Sequence, residues 1–127
     1  MRKISFFIAS AVVGTMSFSI AQAACEGSNG RGWGRGQGAG SFTMGARDKS
    51  CAISFPGFIN DKKKTRIPAT QVKVTKQPKS GKISVSGKGI TYTPKHGFKG
   101  KDRFCTINTS PKLRGERLSG CITITVR

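Results

Sequence analysis

The four cysteines, Cys25, Cys51, Cys105 and Cys121, carry most of the reactive chemistry in this 127-residue chain. Thiols at even count can pair as two disulfides or hold a metal. The spacings are long, no Cys-x-x-Cys occurs, and the single histidine is His96, so a zinc set is not expected and no metal is assigned. Two disulfides remain, with three ways to pair four thiols. Acid–base chemistry has little to work with. Asp and Glu together number 5, none of them clustered. Asp102 therefore makes a poor calcium ligand or catalytic acid. His96 falls in a turn from Pro94 to Gly97, with no nucleophile at a spacing that would use it as a base. The composition points away from an enzyme, and no cofactor is implied.

What the chain has in abundance is positive charge: 23 Lys+Arg against 5 Asp+Glu, a formal net charge of +18. Arg2 and Lys3 precede an apolar run from Ile4 to Ile20 that ends in Ala21-Gln22-Ala23, the small-x-small pattern of a secretory signal. Ser10, Ser17 and Ser19 interrupt the run, which argues for a cleaved signal rather than a retained anchor. Removing the 23 residues through Ala23 from 127 leaves 104, and loss of Arg2 and Lys3 lowers the charge from +18 to +16. No later stretch is apolar enough to span a bilayer, so the expectation is an exported protein, periplasmic or extracellular. All four cysteines follow the signal, as disulfides formed in an oxidising compartment require. The field of such a chain attracts polyanions: anionic polysaccharide, lipopolysaccharide phosphates, anionic lipid or nucleic acid. For an exported chain, extracellular nucleic acid ranks below the others.

These side chains need a frame. Residues 24–47 are rich in glycine and arginine and offer little to bury, so they read as a flexible segment. Within it, Arg31-Gly32-Trp33-Gly34-Arg35 could stack on a base or sugar, but the composition favours a plain linker. Residues 48–127 form the domain. Strand signals recur at Cys51 to Phe55, Gln71 to Lys76, Lys82 to Ser86, Gly89 to Thr93, Asp102 to Asn108 and Cys121 to Val126, punctuated by Gly and Pro. No stretch keeps a helical period. Six or seven short strands in a small domain predict an all-β, antiparallel two-layer sandwich. Alternation points Val72, Val74, Ile83, Val85, Ile90, Tyr92, Phe104, Ile122, Ile124 and Val126 inward. Lys73, Lys82, Ser84, Ser86, Thr91, Thr123 and Thr125 point outward. The turns hold Lys79, Lys88, Lys95, Lys99 and Lys101, which could form a basic rim at the end of the sandwich; together with Arg103 they are the expected polyanion-binding set.

The most specific stretch runs Gln77-Pro78-Lys79-Ser80-Gly81, then Tyr92-Thr93-Pro94, then Gly97-Phe98-Lys99-Gly100-Lys101-Asp102-Arg103-Phe104. It resembles the signature of bacterial immunoglobulin-like and cadherin-like repeat domains, with its Pro-x-x-Gly turn, Tyr-x-Pro strand end and Gly-Phe-x-Gly-x-Asp-x-Phe approach to a late strand. The likeness covers residues 48–127 and implies an Ig-like sandwich that serves as a binding or structural module. It names no ligand, because this architecture hosts many functions. Pro78 and Gly81 would form the turn, Tyr92 a core aromatic in need of a hydroxyl partner, and Asp102 a holder of backbone N–H groups. Calcium-using cadherin-like relatives need several acidic residues at domain ends, which this chain lacks.

Strand faces also bear on the cysteines. Phe104 and Ile122 face the core, so their neighbours Cys105 and Cys121 face outward. On adjacent antiparallel strands they would lie across from each other and pair, leaving Cys25 to Cys51. The rival is Cys51–Cys105, since immunoglobulin domains often bridge their two sheets. For function, a basic Ig-like binding module leads. A structural envelope protein without a discrete ligand is the first alternative and a cationic antimicrobial or membrane-active protein the second, the latter lacking an amphipathic helix. Intact mass of the exported protein should correspond to residues 24–127; a mass retaining Met1 to Ala23 would refute processing at this site.

Overall fold

The computed structural model describes residues 25–45 and 47–127. The expected signal segment and the cleavage site after Ala23 lie outside the described residues. Ten strands follow in order: β1 Cys25–Ser28, β2 Gly38–Met44, β3 Cys51–Ile53, β4 Gly57–Asn60, β5 Thr65–Pro68, β6 Gln71–Lys76, β7 Gly81–Ser86, β8 Gly89–Pro94, β9 Gly100–Thr109 and β10 Leu118–Val126. One turn of 3₁₀-helix spans Trp33–Arg35. Among the described residues no helix is long and apolar enough to cross a membrane.

Pairing gives a five-stranded sheet ordered β1-β2-β10-β9-β6, a three-stranded sheet β3-β8-β7, and a separate ribbon β4-β5. The two larger sheets contribute to one core. Ile53, Ile90 and Tyr92 come from the three-stranded sheet; Phe42, Met44, Phe104, Ile122, Ile124 and Val126 come from the five-stranded one. Their period-2 spacing is what buries them: each strand presents every second residue to the opposing layer. The expected faces hold for Ile90, Tyr92, Phe104, Ile122, Ile124 and Val126, all buried, while Val72 and Ile83 pack at the margin. Val85 departs from its expected place. It lies on β7, an edge strand, near the β7–β8 turn, where no opposing layer covers it, and it is 44% exposed.

The glycine-rich segment is not a flexible linker from Cys25 to Met44; it supplies β1, the 3₁₀ turn and β2. Strand β2 lies parallel to β10 in seven-residue register from Gly38↔Gly120 to Val126↔Met44, so the sheet is mixed rather than wholly antiparallel. Glycine makes this possible by close approach. A Cβ on Gly120 would sit 2.3 Å from the Gly38 Cα, and one on Gly38 would fall 2.3 Å from the Trp33 ring. Trp33 thus lies flat over bare backbone, 6% exposed, with its Nε1–H donated to the Asn29 carbonyl at 2.6 Å. It is a core residue and not the stray aromatic its surroundings suggest.

Both disulfides are those the strand faces imply, Cys25–Cys51 and Cys105–Cys121. Cys105 and Cys121 are direct partners in the β9–β10 register, flanked by the buried pair Phe104↔Ile122. Such a bridge over 16 residues restricts the unfolded chain by roughly 3 kcal/mol. Cys25–Cys51 ties β1 of one sheet to β3 of the other, so the glycine-rich segment is fastened to both layers. Trp33→Ala should cost about 3 kcal/mol of unfolding free energy, and Gly38→Val a comparable amount, in denaturant titrations. A change below about 0.5 kcal/mol would mean the segment is not part of the cooperative fold.

Candidate polyanion-binding surface

The signature residues converge on one end of the domain, where β7 and β9 begin and β8 and β10 finish. Pro78 is buried in the β6–β7 loop, Gly81 opens β7 opposite Pro94, and Lys95 N–H bonds the Ser80 carbonyl at 2.8 Å. Gly97 and Gly100 adopt φ of 82° and 131°, turning the chain from β8 into β9 around the half-buried Phe98. Phe104 is fully buried.

At the centre of this end is Asp102. Its Oδ1 accepts from the backbone N–H groups of Lys79 at 2.8 Å and Arg103 at 2.9 Å. Its Oδ2 accepts from the Ser80 N–H and from the Tyr92 hydroxyl, both at 2.8 Å. Burial alone would raise the carboxyl's pKa, but the bonds from Tyr92, Lys79, Ser80 and Arg103 outweigh it and hold it below the ordinary value. Burial, then the hydrogen bond and charge of Asp102, push the Tyr92 phenol well above its ordinary value. Every acceptor direction of the carboxylate serves the fold, which suits neither a metal ligand nor a proton donor. Among the described residues, no three His, Cys, Asp or Glu side chains come together as a metal would require.

The chain matches no protein-family model, no curated protein and no solved structure.

Of the six expected cations, five share this end. Lys79 lies in the β6–β7 loop, Lys95 and Lys99 in the β8–β9 turn, Lys101 and Arg103 on the outer face of β9, all exposed. Lys88 does not join them, since the β7–β8 turn that carries it is at the opposite end. The five divide between two open depressions. One, of about 380 Å³, is lined by Lys76, Lys79, Ser80, Lys101, Asp102, Arg103 and Thr123. The other, about 500 Å³, holds Lys95 and Lys99 with Arg47, Lys49 and exposed His96.

Lys76 was not foreseen, and its position has a local cause. Between Val74 and Lys76 the β6–β9 register shifts, so that Val74 opposes Thr106 and Lys76 opposes Cys105. Thr106 faces inward and Cys105 outward; the bulge at Thr75 thereby reverses the alternation and turns Lys76 onto the outer face. Arg47 and Lys49 also went unpredicted: Arg47 closes the segment that reads as linker, Lys49 lies before the first expected strand, and only the fold brings them against the β8–β9 turn.

Replacing Asp102 by Asn removes acceptors from two of four donors and should destabilise by about 2–4 kcal/mol in chemical unfolding. Because the folded-state pKa is lowered, the carboxylate's contribution is complete above its unfolded pKa of about 3.9 and fades as pH falls through the lower folded value. The wild type should therefore lose Tm with acidification below about pH 4, and Asp102→Asn should lose less over the same range. Equal acid sensitivity in the two proteins would exclude this role.

Proposed function

We propose that this protein is an exported, non-enzymatic, basic Ig-like binding module that associates with anionic envelope or extracellular partners through surface cations rather than a closed pocket. The observation that carries the reading is the gathering of Lys76, Lys79, Lys101 and Arg103 around one open depression whose sole carboxylate, Asp102, is already committed to four hydrogen bonds. Such cations are left free to meet an external anion. The two disulfides fit an oxidising, exported setting, periplasmic or extracellular.

Strand order supports the Ig-like assignment. The order β3-β8-β7 in one layer and β10-β9-β6 in the other matches the B-E-D and G-F-C wiring of immunoglobulin sandwiches, with β2 beside β10 in place of a first strand. Two departures accompany it. The bridge between layers uses Cys25–Cys51 instead of Cys51–Cys105, and the core tryptophan precedes β2 instead of lying on the strand equivalent to C.

Binding carried by such a surface must weaken with salt. If about four charges are neutralised, affinity for a polyanion should fall roughly a hundredfold between 50 and 200 mM salt. Titration calorimetry across that range checks it. A partner held equally well at both ends of the series would refute an electrostatic surface, and no binding to any polyanion at low salt would favour the structural envelope role.

A further inference from the structure

We infer that the outer face of the five-stranded sheet is a binding platform for an anionic polysaccharide, with β9 and the β6–β7 region holding the acidic groups and the hydroxyls of β10, β2 and β1 holding the sugar. This rests on the polyanion-binding reading above and assigns it one face and one ligand class. The register puts side chains in rows across four strands. Arg103 is opposite Thr123, Thr123 opposite Ser41, and Ser41 opposite Ser28; one step along, Lys101 leads to Thr125, Thr43 and Glu26. Strands lie roughly 4.8 Å apart, so each row is an even file of polar groups about 14 Å long. Inward residues Phe42, Met44, Ile122, Ile124 and Val126 are buried, which commits the intervening Ser41, Thr43, Thr123 and Thr125 to the outside.

The face is polarised. Lys101 and Arg103 stand at its β9 side, Lys79 borders the same depression, and the β6 bulge adds Lys76 where regular pairing would have turned it inward. Hydroxyls occupy the middle, and Glu26 marks the far edge, about three strands from Lys101. A ligand that fits must offer anions on one side and a hydroxyl-rich body on the other. A sulfated, phosphorylated or carboxylated glycan has both.

The rival polyanions fit less well. Single-stranded nucleic acid binds on stacking platforms, and here the aromatics are inside: Trp33, Phe42, Phe55, Tyr92 and Phe104 are buried, while Phe58 and Phe98 pack against the core. An anionic bilayer is held best where apolar side chains can enter it. The exposed large apolar residues, Ile59 and Val85, belong to the β4-β5 ribbon and to β7 and not to this face.

The test uses the exported protein with dextran sulfate as probe, against a single-stranded oligonucleotide and phosphatidylglycerol vesicles. Two triple variants remove the same charge: Lys76→Ser/Lys101→Ser/Arg103→Ser on the platform, and Lys49→Ser/Lys95→Ser/Lys99→Ser off it. The platform triple should lower the log–log salt slope for dextran sulfate by roughly three and the other triple by less than about one. Thr123→Val/Thr125→Val should weaken dextran sulfate about three- to tenfold with the slope unchanged, and leave the oligonucleotide unaffected. Should the platform triple not fold, Lys101→Gln and Arg103→Gln singly should each lower the slope by about one. Equal losses from the two triples, tighter binding of oligonucleotide or vesicles than of dextran sulfate, or an inert Thr pair would each overturn the platform while leaving polyanion binding intact. If the wild type binds none of the three probes, the polyanion reading itself fails.

Discussion

Asp102 is the fastening on which the two layers depend. One carboxylate takes hydrogen bonds from the β6–β7 loop through Lys79 and Ser80, from its own strand through Arg103, and from β8 through the Tyr92 hydroxyl. Those four donors come from both sheets and from the connection between them. A charged acceptor makes stronger hydrogen bonds than a neutral one, and within a mostly buried setting the gain is larger still. The alternative for Tyr92, fully buried on β8, is a hydroxyl held only by the 3.5 Å approach to the Ser80 carbonyl. The same bonds fix where Lys79 and Arg103 leave the backbone, so the fold's polar anchor also sets the spacing of the cations above it.

Around that anchor the chain has little apolar material, and it compensates by close contact and covalent ties. Gly38 and Gly120 let β2 and β10 run parallel with Trp33 laid over the junction, which converts a glycine-rich stretch into a strand between β1 and β10. Cys25–Cys51 then prevents the short edge strand β1 from fraying away from the layer opposite. A small domain with a thin core gains most from such restraints on the unfolded chain.

How much of this was legible depends on where the information resides. Strands β6 to β10 carry their own alternation, so apart from Val85 and the end of β6 their faces, and the outward pairing of Cys105 with Cys121, followed from residue order. Tyr92 and Asp102 were recognisable as structural from the Tyr-x-Pro and Gly-Phe-x-Gly-x-Asp-x-Phe pieces, though not as partners of each other. Strand β2 was hidden because Gly38, Ala39, Gly40 and Ser41 have almost no side chain to pattern; the hydrophobic surface that defines it belongs to Trp33 and Ile122. The β6 bulge was hidden too, since nothing in Val74-Thr75-Lys76 marks which residue will be left unpaired. Its consequence, Lys76 beside Cys105 on the outer face, belongs to the pairing with β9 and not to β6 alone. Of the cations, only Lys88 was misplaced, because a turn's position along the chain does not say at which end of the sandwich it will fall.

Charge links this architecture to its proposed work. A chain of net charge +18 repels itself when compact, and the repulsion is concentrated where cations gather, as where Lys76, Lys79, Lys101 and Arg103 share one depression with a single carboxylate. The fold tolerates this because the cations stand on an outer face in solvent, where screening is strong, while Asp102 and the Cys25–Cys51 bridge hold the two layers together beneath them. A bound polyanion would relieve the repulsion in the folded state more than in the extended unfolded chain, in which the same charges are farther apart. Binding and stability would then be coupled by mass action, a tighter anion stabilising the folded protein more. If the proposed platform binds such an anion, cations already held on a disulfide-linked, hydrogen-bonded frame would leave little reorganisation to oppose association.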